Sequence, residues 1–73
     1  MFGYFEYEYK GEQGSSRDYG AMYEIDMVGA MNYRQELGAV ITYEVYDSSE
    51  DKIMEIIDQR YYMQNQQNKR RGR

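Results

Sequence analysis

Seven residues near the start, YFEYEYK from Tyr4 to Lys10, alternate with a period of two. Phe5, Tyr7 and Tyr9 fall on one side, and Tyr4, Glu6, Glu8 and Lys10 on the other. Successive side chains of a strand point to opposite faces, so this pattern predicts a strand with one face buried. A strand cannot stand alone, because its backbone N–H and C=O groups need partners. The chain must therefore supply a sheet. On this reading the rings of Phe5, Tyr7 and Tyr9 enter the core, while Tyr4, Glu6 and Glu8 face solvent.

Gly11–Ser16 (GEQGSS) reads as a loop, because glycine permits positive φ and serine favours turns. Tyr19–Val28 carries two patterns at once. As a strand it sets Ala21, Tyr23, Ile25 and Met27 against Met22, Glu24, Asp26 and Val28. As a helix it repeats Met22, Ile25, Val28 and Met31, with Asp18 as a cap. Gly20 and Gly29 would each cost a helix interior about 1 kcal/mol, and the first strand needs a neighbour, so the strand is preferred. Gly29–Gly38 has no clean period and is left open. Ala39–Tyr46 is the strongest strand, with Ile41, Tyr43 and Val45 alternating against Thr42, Glu44 and Tyr46.

At Asp47 the period changes. Asp47 or Ser48 is a candidate N-cap, with Glu50 or Asp51 three residues later. Ile53, Ile56, Ile57, Tyr61 (or Arg60) and Met63 then form an apolar stripe at helical spacing. From Gln64 the sequence is wholly polar and is expected to fray unless held. These readings predict an α+β fold: an antiparallel sheet of three or four strands covered by one C-terminal amphipathic helix. Residues 1–63 form the domain and residues 64–73 a polar, basic tail.

A chain of 73 residues buries a thin core. It has no cysteine and no histidine, so disulfides and the usual zinc, iron and copper sites are excluded. No metal or cofactor is expected, and a partner or a second copy is the remaining source of support. The absence of cysteine, of a long apolar run and of a signal-peptide pattern suggests a cytoplasmic setting.

The charges are segregated. All thirteen acidic residues lie at or before Asp58, against four basic ones, a net of −9. From Gln59 onward five basic residues meet no acid. Catalysis has little to work with, since the common general base and thiol nucleophile are both missing. Carboxylate pairs such as Glu6 with Glu8 or Glu24 with Asp26 read first as a solvated strand face, and no phosphate-binding glycine pattern is present.

Ten tyrosines are more than a small core needs, and tyrosine favours interface hot spots. The expected site is an acidic, tyrosine-bearing sheet face made of Tyr4, Glu6, Glu8, Glu24, Asp26, Glu44 and Tyr46. Tyr33 and Tyr62 are further surface candidates. Carboxylates in a row imitate phosphates and would dock on a protein with a basic groove, in a nucleic-acid-handling complex. Short, acidic, tyrosine-rich and free of cysteine, the body of the chain resembles phage-encoded inhibitors of host nucleic-acid enzymes, anti-restriction and anti-CRISPR proteins among them. The resemblance is one of composition, without a shared motif. It implies a non-catalytic inhibitor working in the host cytoplasm. One alternative is RNA or DNA binding through Lys69, Arg70, Arg71 and Arg73 with stacked tyrosines. Another is a self-assembling subunit that dimerises through Ile53, Ile56, Ile57 and Met63.

Overall fold

The computed structural model describes the backbone of residues 1–71 and the side chains of residues 1–63. Strand β1 (Phe2–Tyr9) turns at Lys10 and Gly11 into β2 (Glu12–Ser15). Lys10 and Gly11 have φ of 52° and 82°, the positive pair of a two-residue hairpin turn whose twist matches its strands. The expected loop thus shrinks to two residues, and most of GEQGSS becomes strand. A 3-10 turn (Arg17–Tyr19) leads to the short β3 (Met22–Tyr23) and then to α1 (Glu24–Glu36). Strand β4 (Val40–Asp47) and helix α2 (Glu50–Arg71) complete the chain.

All three other strands pair antiparallel with β1. β4 runs along one side of it from Phe2 to Glu8, while β2 and β3 share the other side. β2 covers Glu6–Tyr9 and β3 covers Phe2–Gly3, which leaves a gap at Tyr4 and Phe5. The fully buried Ser16 closes it: its Oγ accepts the Phe5 N–H (3.1 Å) and its N–H donates to the Phe5 carbonyl (3.0 Å). A buried N–H is met there without a ladder partner.

The fold is α+β, with a four-stranded antiparallel sheet and a helix at the C-terminal end as expected. A second helix takes the later half of the segment read as a strand together with the stretch left open after it, and only Met22–Tyr23 of that segment is strand. α1 buries Met27 and Met31 against the face of the sheet that carries Phe5, with Tyr7, Met22, Ala30, Ile41 and Tyr46 around them. α2 buries Ile53 and Ile57 on the opposite face against Tyr4, beside Phe2, Tyr43, Val45 and Ile56. Hence β1 is covered on both sides, and Gly3, Tyr4, Phe5 and Glu6 are all buried.

Local chemistry accounts for the element ends. α1 starts after Tyr23, which has extended φ and ψ, and Glu24 and Asp26 sit in its first turn at the positive end of the helix dipole. It stops at Gly38, whose φ of 104° few other residues adopt; the Gly38 N–H donates to the Gln35 carbonyl at 3.0 Å. The N-cap of α2 is Ser49 and not Asp47 or Ser48: Ser49 Oγ accepts the Lys52 N–H at 3.2 Å. Asp47 acts one step earlier, accepting the Ser49 N–H at 2.8 Å.

In β4 the register jumps from Glu6↔Tyr43 to Tyr7↔Ile41, so Thr42 is a bulge. The bulge turns Ile41 to the α1 side, whereas Tyr43 and Val45 face α2. The simple alternation of Ile41, Tyr43 and Val45 on one face is therefore broken.

Candidate protein-binding face

Tyr4 and Glu6, expected at the surface, are 3% and 8% exposed. Both lie under α2. Glu6 accepts two hydrogen bonds from Arg60, Nε to Oε2 at 2.6 Å and Nη2 to Oε1 at 2.8 Å, and the Tyr4 hydroxyl donates to Oε2 at 2.6 Å. Burial pushes the Glu6 carboxyl up, but the Arg60 guanidinium and the Tyr4 hydroxyl outweigh it and hold the group below its usual value. Burial raises the Tyr4 phenol well above its ordinary range, and its bond to Glu6 adds to this. The Arg60 guanidinium also lies 3.7 Å from the centre of the Tyr43 ring. These residues bind α2 to the sheet, and Tyr4 and Glu6 are buried there and present nothing to a partner.

Glu24 and Asp26 also leave the expected plane. On a strand they would share a face, but at 100° per residue on a helix they stand about 200° apart. Both are exposed, on different flanks of α1. Glu8 is exposed on the α2 side of β1, by alternation with Tyr4 and Glu6. The flat row of carboxylates read from the sequence is thus not formed.

Part of it survives elsewhere. Glu44 is exposed on the α1 side of β4 and accepts the Tyr46 hydroxyl at 2.7 Å. That bond, followed by burial and the charges of Glu44 and Glu24, pushes the Tyr46 phenol up to about 12. The charges of Glu24 on α1 and Glu44 on β4 therefore both reach the Tyr46 hydroxyl. Among the described residues the ion pairs are Arg17–Asp18 and Arg60–Glu6, so none neutralises Glu24, Asp26 or Glu44.

Next to Glu24 lies an exposed apolar group outside the expected site. Met1, Tyr23, Glu24, Ile25 and Val28 line an open groove of about 520 Å³. Ile25 is 82% exposed, and Met1 and Tyr23 are both more than half exposed. The Glu24 N–H donates to the Met1 carbonyl at 2.9 Å, and the Phe2 and Tyr23 rings lie 5.2 Å apart, so the groove's two walls are tied together. One signal in the sequence did point to it. Met22, Ile25, Val28 and Met31 form a helical stripe, yet α1 buries Met27 and Met31; the segment has more apolar residues than one face can hide.

The remaining expectations divide. Tyr33 and Tyr62 are exposed; Tyr7 is half-buried against the Phe5–Met27 cluster, and Tyr9 is half-buried at the end of β1. Ile53, Ile56 and Ile57 pack on the sheet, which closes that stripe to a second copy, while Met63 is exposed. Arg60 takes the helix position facing the sheet, and Tyr61 turns out beneath Arg17, 3.6 Å from its ring centre. The side chains of Lys69, Arg70, Arg71 and Arg73 lie outside the described residues. No helix among the described residues is long and apolar enough to cross a membrane. No protein-family model, curated protein or solved structure matches this chain.

Proposed function

We propose that this chain is a non-catalytic binding module that docks on a protein with a basic surface, of the kind that handles nucleic acid, and obstructs it. The observation that carries this reading is the groove of Met1, Tyr23, Ile25 and Val28 bordered by Glu24, with the Glu44–Tyr46 pair beside it. Apolar side chains give such a contact its affinity: fully burying one like Ile25 is worth roughly 1.5–3 kcal/mol. Unpaired carboxylates around it favour a cationic partner and speed the encounter. A net charge of −4 keeps free nucleic acid from competing for the same face.

The test is affinity capture from a cell lysate by the full chain, beside an Ile25→Glu, Glu24→Lys double variant that leaves both buried clusters intact. Basic nucleic-acid-binding proteins should be retained by the native chain, released by salt, and lost from the variant. Retention of the same proteins by both, with unchanged circular dichroism, overturns the proposal.

A further inference from the structure

Among the described residues β4 has β1 on one side and no strand on the other. Among the described residues, no backbone hydrogen bond outside the sheet ladder involves residues 40–47. The two helices sit on the faces of the sheet, against Phe5 and against Tyr4, and neither supplies a strand to this edge. An eight-residue edge with unmet N–H and C=O groups is a template for another chain. Lysine, proline, other charged side chains and bulges protect such edges; VITYEVYD has no lysine or proline, and its guards are Glu44, Asp47 and the bulge at Thr42.

The side chains along the edge differ by face. Toward α1 stand Glu44 and Tyr46, with the charge of Glu24 reaching Tyr46. Toward α2 stand Tyr43 and Val45, half-buried, with Arg60 held over the Tyr43 ring. A strand laid on this edge would set one row of side chains against Glu44 and Tyr46 and the other against Tyr43 and Val45, with Asp47 at the end of that second row.

We propose that the β4 edge accepts an extended segment of the partner by strand addition, with lysine or arginine at alternate positions and apolar residues between them. This rests on the reading of a basic protein partner and adds how it is held. A second copy fits less well, because β4 brings Glu44 and Asp47 and no cation to the pairing.

Three labelled peptides of β4's own length, eight residues, test the proposal by fluorescence anisotropy on the full chain. The first alternates Lys and Val, the second is the same with alternate backbone nitrogens methylated, and the third alternates Glu and Val. The Lys–Val peptide should bind saturably, the methylated one at least about ten-fold more weakly, and the Glu–Val one not at all. Glu44→Lys should weaken Lys–Val binding by about ten-fold while the circular dichroism spectrum is kept. Equal binding of the methylated peptide means that charge alone holds it; strand addition is then overturned, while the groove reading stands on its own capture experiment. Absence of saturable Lys–Val binding also overturns it. So does a dimer, seen by sedimentation without peptide, that Thr42→Pro abolishes, since the edge then belongs to a second copy.

Discussion

Arg60 meets Glu6 with two donors at 2.6 and 2.8 Å, a fork that an ammonium group cannot reproduce. Hydrogen bonds to a charged group are worth about 1.5–3 kcal/mol net, and removing the cation leaves a buried carboxylate with the Tyr4 hydroxyl alone. Arg60→Ala should therefore cost about 2–3 kcal/mol in urea unfolding near neutral pH, and Arg60→Lys should restore only part of it. The folded state holds the Glu6 carboxyl below its usual value, so this contribution is complete above the ordinary carboxylate range and is lost as pH falls through the folded value. The gap between native chain and Arg60→Ala should narrow in acid, as unfolding at about pH 7 and about pH 3 will show. A gap that stays constant would mean that the pair adds nothing through its charge. The burial of Glu6 was illegible in the sequence because its partner lies 54 residues away. Alternation identified which residues share a side of β1; it could not tell that both sides are covered.

Helix α1 passes so close to β1 that a Cβ on Gly3 would run into the Met27 sulfur and lie 2.9 Å from the Val45 carbonyl oxygen. The methionine can move; the backbone oxygen cannot move without disturbing the ladder. Gly3→Ala should destabilise the fold by about 1–3 kcal/mol, measured by thermal or urea unfolding. A change of a few tenths would show that the sheet yields easily there. The elements differ in how plainly they could be read beforehand. β1, β4 and α2 have sustained periods, and each is present where its pattern lies. The segment 19–28 fits both periods, and its strand reading holds only at Met22–Tyr23, because β1 found longer neighbours in β2 and β4 while the α1 face of the sheet needed a cover. The Ile25–Val28 groove follows from that helix, so it could not be recovered while the segment was read as a strand. The bulge at Thr42 leaves no mark in a simple alternation either, and it divides β4 between the two clusters.

At the scale of the whole molecule, the core is two small clusters on opposite faces of one sheet, joined through β1. The first strand is central and its longest neighbour is the last strand, so Phe2 pairs with Asp47 across most of the domain. Pairings that distant make folding slow relative to helical proteins of this size, because a long loop must close before any contact rewards it. The β1–β2 hairpin, with its two-residue turn, needs no such closure and should form first. Refolding from urea should then show an early, concentration-independent hairpin signal followed by a slower step that buries Phe5 and Tyr4; simultaneous appearance of both would contradict this order. Until β4 arrives, the far side of β1 waits bare, and the nearest supplier in a crowded tube is another molecule's β4. Yield on rapid dilution should therefore drop as protein concentration rises, through exchanged dimers in which each chain lends its C-terminal half to the other.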